Sequence, residues 1–274
     1  MISAKVITDS THGGARVTTF ELEYPRFIHS EFMTHRVFSR NCASSRAIPI
    51  DAAIKLVRDN PAMPIHWGKN QPGMQANEEL TEVELQAAKD LWIYAMDNAC
   101  LWSKALANTG LHKQIANRVS EPFQTMKTVV TATEWDNFFE LRNHKDAQPE
   151  IHELAFLMAI QMRNSNPIEL GIGEWHLPYV TESSGDLAND LMISASCCAQ
   201  VSYRKSDDSL EKAKAIFDKL ISMRPRHSSP FEHQATPVDY LEHGNWPAGV
   251  THIDKDYRYW SGNFRDWVQY RQLL

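Results

Sequence analysis

The chain has 274 residues, enough for one large domain or two small ones with a substantial core. Hydrophobic residues make up 43% and charged residues 23%, without an apolar run long enough to span a bilayer or a basic-then-apolar leader, so the composition argues against a disordered, membrane-spanning or secreted chain. The net charge of −6 argues against a protein that coats nucleic acid by bulk electrostatics, and we expect neither a nucleic-acid polymer nor a membrane as partner.

The first predicted element is a strand over Val17–Tyr24, where apolar and polar side chains alternate. Apolar residues at helical spacing then predict a helix over Phe27–Phe38, and a short helix follows over Asp51–Arg58. Several prolines and glycines between Asn60 and Asn77 exclude regular structure. This long loop is either a lid or an oligomer contact.

A long buried helix is predicted over Glu79–Asn108, because Ala, Leu and Trp recur at three- and four-residue steps and Gly110 follows. Shorter helices are predicted over Trp135–Leu141, Glu150–Arg163, Leu187–Ser196 and Leu210–Met223. Beyond Met223 the chain is irregular and aromatic, and we expect its tryptophans to pack against the domain or a neighbouring subunit. No linker divides the chain, which indicates a single, mainly helical α+β domain over 1–274 with a small antiparallel sheet.

The densest polar cluster runs from Thr34 to Arg46 and holds three arginines, a histidine and three serines. Forked cationic donors, hydroxyls and free backbone N–H groups are what a phosphate needs. The alternative interpretation is a solvated helix end with surface ion pairs.

The sequence gives weaker evidence for disulfide, metal or cysteine-nucleophile chemistry than for phosphate binding. Four cysteines without a C-x-x-C spacing favour a reducing, cytoplasmic setting over disulfides or a zinc ribbon. Cys42 lies near His35 and could be a nucleophile, but a packing role is the more common one. His227 and His233 flank Glu232 without a metal-binding spacing, so we predict no metal site.

Four segments together resemble the flavin-dependent thymidylate synthases. Thr34-His35-Arg36, seven residues and then Ser44 resembles the family signature Arg-His-Arg, seven residues, Ser, and Arg46 follows two residues on. The other three matching segments are 137–151, from Asn137 through Arg142; 198–203, which holds Val201-Ser202-Tyr203; and 227–233, which holds Pro230-Phe231-Glu232-His233.

The order of these segments differs from the family's usual order. There the Val-Ser-Tyr and Pro-Phe-Glu-His segments precede the Arg-His-Arg signature, whereas here they follow it. The chain therefore resembles a circularly permuted member, in which the strand over Val17–Tyr24 corresponds to the piece that ordinarily follows His233. Residues 238–274 would then be an added tail.

The resemblance implies an α+β fold, a homotetramer with active sites shared between subunits, and bound FAD. The implied reaction is reductive methylation of dUMP to dTMP, with methylenetetrahydrofolate as carbon donor and NADPH as reductant. Matching positions imply that Arg142 holds and polarises the pyrimidine, without a covalent adduct to Cys42, and that Ser44 is catalytic. The implied substrate-binding residues are Glu31, Ser44, Arg46, Arg118 and Arg142, and the implied cofactor-binding residues are His35, Arg36, Asn41, Asn137, Asp146, Ser202, His227, Ser229 and Glu232.

Several positions depart from the family pattern. Thr34 and Thr133 stand where arginines are usual, which weakens the expected grip on the flavin diphosphate. Glu31 replaces a substrate-contacting glutamine, and we expect it to pair with Arg36 or Arg46. These changes leave open a hydroxymethylated or methylcytosine product, for which a viral source would be suitable, or a non-catalytic nucleotide-binding homologue.

Overall fold

The computed structural model describes residues 2–202, 207–240 and 246–274, except for the side chain of Ser202. The strands are β1 (Ser3–His12), β2 (Ala15–Pro25), β3 (Ser39–Cys42), β4 (Thr125–Ala132), β5 (Ile168–Glu169), β6 (Ala235–Pro237), β7 (His252–Ile253), β8 (Tyr259–Ser261), β9 (Phe264–Arg265) and β10 (Trp267–Gln269). The α-helices are α1 (His29–Phe32), α2 (Ile50–Asp59), α3 (Glu82–Asn108), α4 (Lys113–Ala116), α5 (Asp136–Arg142), α6 (Pro149–Asn164), α7 (Leu187–Ala199) and α8 (Leu210–Ser222). The mixed α+β architecture is as predicted.

A five-stranded sheet in the order β3-β4-β2-β1-β5 organises the first part of the chain. Its pairs are antiparallel except for the short parallel pair of β1 with β5. A turn at Gly13 and Gly14 joins β1 to β2, and both glycines have positive φ, which a side chain would strain. The predicted strand over 17–24 therefore lies at the centre of the sheet.

The main core lies on one face of this sheet. Phe20, Leu22 and Tyr24 alternate along β2 and pack with Phe138 of α5 and Leu154 of α6. The alternation placed these residues correctly, because side chains of a strand point in turn to opposite faces.

The opposite face of the sheet is also covered. Thr19 on β2 and Thr131, which lies opposite it on β4, are fully buried, although the alternation along β2 predicted an exposed position for Thr19. His176 and His233 from the later part of the chain lie over them. Segments that are distant in sequence therefore cover the second face of β2, which is buried on both sides there.

Two helix predictions were wrong in part. The helix expected over 27–38 ends at Phe32, because turns follow it and the chain enters β3 at Ser39. The long helix α3 begins at Glu82 and is mostly exposed, since its buried residues are Met96, Ala99, Cys100 and Ser103. The other predicted helices are confirmed within a few residues at each end.

The C-terminal residues form two small sheets. β10 pairs antiparallel with β6, and β7, β8 and β9 form a three-stranded antiparallel sheet. Phe264 and Trp267 are fully buried against Val17 and Ala235. Among the described residues, none of the helices combines the length and the apolar character needed to cross a bilayer.

Candidate functional site

A tight turn between α1 and β3 places His35 and Arg36. The guanidinium of Arg40 donates from Nη1 to the carbonyl oxygens of Phe32, at 3.2 Å, and of His35, at 3.0 Å, which holds the turn closed. The imidazole of His35 stacks on Phe38 and meets the edge of Phe138, with ring centroids 5.7 and 4.9 Å apart. His35 is therefore fixed by packing as well as by hydrogen bonds.

Arg142, at the end of α5, spreads its three nitrogens over three partners. Nε donates to Nε2 of His35 at 3.1 Å, Nη1 to Oε2 of Glu31 at 3.3 Å, and Nη2 to Oγ1 of Thr34 at 3.3 Å. The expectation that Glu31 pairs with Arg36 or Arg46 was wrong, because Arg142 reaches it from across the turn. Sequence distance hid this pair, since 111 residues separate the two.

His35 is neutral at physiological pH. Burial, and to a smaller extent the nearby charges of Arg142 and Arg40, lower its pKa from 6.5 to about 4. Because Nε of Arg142 can only donate, Nε2 of His35 must accept, which places the imidazole proton on Nδ1. The histidine thus acts as an oriented acceptor for Arg142.

A cavity of about 490 Å³ opens beside this pair. His35, Arg36, Asn137 and Arg142, which the sequence assigned to one nucleotide and cofactor site, all line it. Its lining is completed by Thr34, Val37, Glu134, Asp136, Phe138, Leu141 and Trp260. Two cations, two acids, an amide and aromatic rings around one space suit a planar ligand that carries both anionic and hydrogen-bonding groups.

A second cavity of about 420 Å³ shares Glu134 and Asp136 with the first. Three arginines line it, and each is paired with an acid: Arg16 with Asp9, Arg258 with Asp266, and Arg265 with Glu134. This cavity therefore offers a polar, charge-balanced space continuous with the 133–136 turn.

The predicted substrate-phosphate residues lie in a separate cluster. Asn117 donates from Nδ2 to the carbonyl oxygens of Ser45 and Ile48, which fixes the turn that carries Ser44. Ser44 is half-buried and Arg46 is exposed, and neither lines either cavity.

Glu121 is the centre of that cluster. It accepts hydrogen bonds from Ser45 at 2.6 Å and from Arg118 at 2.9 Å, and Arg26 lies 2.9 Å from the same carboxylate oxygen. Arg118, predicted to contact the nucleotide, is thus engaged in an ion pair within its own chain.

The segment 227–233 forms a third group beside β3. Ser229 begins a 3-10 turn that ends at Glu232, and His227 is exposed. Glu232 pairs with Arg271, and burial raises the pKa of its carboxyl while the charges of Arg271 and Arg40 lower it. The predicted cofactor residues of this segment therefore lie outside the lining of either cavity.

Three further predicted cofactor residues fall elsewhere. The side-chain amide of Asn41 donates to the carbonyl oxygen of Cys198 at 2.9 Å, a contact that joins β3 to α7. Asp146 is exposed, and its backbone oxygen accepts from Gln75 of the long loop. Ser202 ends a 3-10 turn, and its side chain lies outside the described part of the structure.

A buried chain of hydrogen bonds joins the later segments to the sheet. His176 contacts Oγ of Ser10 at 2.9 Å and Oγ1 of Thr19 at 2.8 Å; Thr19 contacts Thr131 at 2.6 Å, and Thr131 contacts Nδ1 of His233 at 2.9 Å. Burial lowers the pKa of both histidines to about 3, so both are neutral. Nε2 of His233 makes no hydrogen bond within the described residues.

Cys42 does not have the properties of a nucleophile. Burial raises the pKa of its thiol, and the hydrogen bond to Thr128 and the charges of Arg40 and Arg26 lower it by less. In the part of the chain that the structure describes, no group of three or more metal-ligating side chains is arranged to hold an ion.

Sequence reasoning missed Trp260, Glu134 and Asp136 as lining residues. The two acids are separated by Trp135 and come just before Asn137, and this closeness in sequence could have indicated that they lie at the same site. Trp260 carried no such signal, because it reaches the cavity from 118 residues beyond Arg142 only through the tertiary fold.

A family model described as thymidylate synthase complementing protein matches residues 15–168, more than half of the chain. No curated protein is significantly similar in sequence to this chain. Two crystal structures with similar folds are of the UMP/dUMP methylase PolB from Streptomyces cacaoi, one bound with 5-Br UMP and one with 5-Br dUMP. Both are 17% identical to this chain, and each alignment includes 59% of this chain. The alignments include 88% and 90% of the two PolB chains, with TM-scores of 0.51 and 0.49. At this identity the likeness concerns the fold alone.

Proposed function

This chain belongs to the thymidylate synthase complementing protein family, and on that premise we propose that it catalyses flavin-dependent reductive methylation of dUMP to dTMP. The observation that carries the proposal is the cavity in which His35, Arg36, Asn137 and Arg142 meet. Methylenetetrahydrofolate is the proposed carbon donor, and NADPH is the proposed source of electrons.

The donor set of the cavity fits FAD. The side chains of Arg36 and Asn137 make no hydrogen bond within the described residues, so both are available to a phosphate or a ring carbonyl. Val37, Leu141 and Phe138 add apolar surface for a planar ring. When bound, FAD supplies the route by which reducing equivalents reach the transferred one-carbon unit.

Arg142 is the proposed contact to the pyrimidine. Its guanidinium has five N–H groups, of which three point at His35, Glu31 and Thr34, so one N–H remains on each terminal nitrogen. Because the neutral His35 and the carboxylate of Glu31 hold the guanidinium in place, the fixed cation can stabilise negative charge that develops on the base. His35 and Glu31 are positioning residues in this proposal.

Ser44, Arg46 and Arg118 are proposed to bind the substrate phosphate in the site of a neighbouring copy of the chain. They lie outside both cavities of their own chain. α3 supports such an assembly, because Val83, Leu91, Tyr94, Leu101 and Trp102 are all more than half exposed on it. A large exposed apolar surface on one helix is typical of a protein interface. A homotetramer with shared sites is the assembly that the family resemblance implies.

The proposed circular permutation explains the contact between the early and late segments. Ala235, two residues after His233, packs with Val17 at the beginning of β2, and its backbone pairs with His176. A chain that ran from His233 directly into β2 would need only a short connection there. Residues 238–274 are then an addition to the family core.

A second candidate keeps the cofactors and changes the product. Glu31 places a carboxylate 3.3 Å from Arg142, where an acceptor-only group favours a base that offers an amino group. An anaerobic reaction with FAD, NADPH and methylenetetrahydrofolate, with dUMP and dCMP supplied together, separates the two candidates by mass spectrometry. A methyl group on dUMP supports thymidylate synthesis, whereas reaction on dCMP alone or a hydroxymethyl product supports the second candidate.

The Arg142→Ala variant tests the proposed role of Arg142. We expect at least about a hundredfold loss of turnover, because a preorganised charge contact to the reacting base is removed. FAD binding, measured by absorbance, should change little. The control is Arg163→Ala, which removes an exposed arginine at the end of α6. Lost flavin with unchanged turnover per bound flavin would contradict the assignment.

A further inference from the structure

The C-terminal segment, residues 246–274, forms one wall of the cavity beside His35. Trp260 of β8 lines this cavity together with Arg36, Asn137 and Arg142. The family model ends at residue 168, so this wall is not part of the matched family core. The chain has therefore brought an aromatic side chain to the site from outside that core.

Hydrogen bonds fasten the segment to the residues that frame the cavity. Asn263 donates from Nδ2 to the carbonyl oxygen of Val37 at 2.8 Å and to Oγ of Ser39 at 3.1 Å. Gln269 donates from Nε2 to Oγ of Ser39 at 3.0 Å and to the carbonyl oxygen of Glu232 at 3.1 Å. Val37 follows Arg36, and Glu232 is itself predicted to bind the cofactor, so these hydrogen bonds fix the position of the C-terminal segment relative to the predicted cofactor-binding residues.

A third attachment lies at the 133–134 turn, where the cavity beside His35 adjoins the second cavity. The backbone N–H of Arg265 donates to Oγ1 of Thr133 at 3.0 Å, and its guanidinium pairs with Glu134 at 2.8 Å. Thr133 is one of the two positions where the family usually has an arginine. Arg265 of the C-terminal segment therefore contacts the 133–134 turn at the position where the family usually has an arginine.

The indole of Trp260 is held in a fixed orientation. Its Nε1–H donates to Oδ2 of Asp254 at 2.9 Å, and the ring of His252 stacks on it with centroids 5.7 Å apart and planes inclined by 17°. Trp260 is half-buried, and the part that lines the cavity meets open space large enough for a ring system. An aromatic ring oriented in advance binds a planar ligand at little conformational cost.

Resting on the proposed function, we propose that Trp260 is a cofactor-binding residue whose indole stacks on the isoalloxazine ring of the flavin dinucleotide. The C-terminal segment then serves to hold this ring against Arg36 and Asn137. Stacking from the added segment compensates for the cationic grip lost at Thr34 and Thr133. The ligand class is a flavin dinucleotide; the pyrimidine nucleotide is the competing occupant.

Titration of the full-length protein with FAD, followed by flavin fluorescence, tests the proposal. We expect Trp260→Ala to weaken FAD binding about tenfold, the usual scale of one aromatic stacking contact, and Trp260→Phe to weaken it less. The matched control is Trp246→Phe in the same segment, because Trp246 donates to the carbonyl oxygen of Val250 and lines neither cavity. It should bind FAD within about twofold of the parent protein.

The emission of bound flavin gives a second readout. Because an indole quenches flavin emission better than a phenyl ring does, bound FAD should be brighter in Trp260→Phe than in the parent. This variant keeps an aromatic ring and so remains informative if Trp260→Ala unfolds.

Three outcomes are distinguishable. Unchanged FAD affinity in a folded Trp260→Ala, or unchanged emission in Trp260→Phe, would overturn the role of Trp260. Weakened binding of dUMP with unchanged FAD binding would assign the wall to the nucleotide and also overturn it. A parent protein that binds no FAD at all would instead refute the proposed function on which the inference rests.

Discussion

Replacing Thr131 by valine tests the buried chain of hydrogen bonds that joins the two parts of the protein. Thr131 lies opposite Thr19 across β2 and β4, and its hydroxyl contacts both Thr19 and His233. Valine has nearly the same shape, so the change removes the hydroxyl without opening a cavity. Nδ1 of His233 then joins Nε2 as a buried nitrogen without a hydrogen bond.

The expected loss of stability follows from these contacts. A buried polar group left without a partner costs about 1–3 kcal/mol, and the lost contact to Thr19 adds about 0.5–1.5 kcal/mol. We therefore expect the free energy of unfolding to fall by about 1.5–4.5 kcal/mol. For a chain of 274 residues that corresponds to a decrease in Tm of roughly 3–8 °C.

Urea unfolding and a thermal melt measure the effect. The matched control is Thr8→Val, because Thr8 pairs with Thr19 from the other side of β2, is half-buried, and takes no part in the chain of hydrogen bonds. We expect the control to change stability by less than about 1 kcal/mol. If Thr131→Val and Thr8→Val melt together, the buried chain does not join the late segments to the sheet.

Two further predictions concern charge and assembly. An NMR titration should give a pKa below 5 for His35, and Arg142→Ala should raise it while leaving it below 6.5, since burial is the larger cause. As the pH falls, His35 is protonated in the unfolded chain at a higher pH than in the folded protein. The stability that depends on neutral His35 is therefore complete above about pH 6.5 and is lost as the pH falls from there through about 4. A pKa above 6 in the parent protein would contradict the contact with Arg142. Light scattering should give a mass several times the 31.4 kDa of one chain, and Leu91→Glu on α3 should reduce it; a monomeric parent would remove the support for shared sites.

Much of the secondary structure could be read from local pattern. α2, α5, α6, α7 and α8 lie where periodicity and capping residues predicted them, and β2 lies where apolar and polar residues alternate. These signals are local, because a helix or strand displays its buried face at a fixed spacing. The helix predicted over 27–38 failed beyond Phe32, where a turn closed by Arg40 and by the packing of His35 on Phe38 replaces helical hydrogen bonds.

The composition of the cavity could be predicted only in part. His35 and Arg36 are adjacent in the sequence, and Asn137 and Arg142 share one helix, so each pair was recognisable as a motif. That both pairs line a single cavity is a result of the fold. Ser44 and Arg46 follow the same motif yet face another surface, because the turn after β3 is held by Asn117 and Glu121.

The sequence by itself therefore determined the family and the fold class, and it named four of the residues that line the cavity beside His35. Only the tertiary structure decided that Glu31 pairs with Arg142, that His35 is a neutral acceptor, and that Trp260 closes the cavity. The physical reason is that propensity and motif act over a few residues, whereas pairing, burial and pKa depend on which distant segments pack together. Trp260 and Arg36 are 224 positions apart, and the contacts of Asn263, Arg265 and Gln269 with the earlier part of the chain bring them to one cavity.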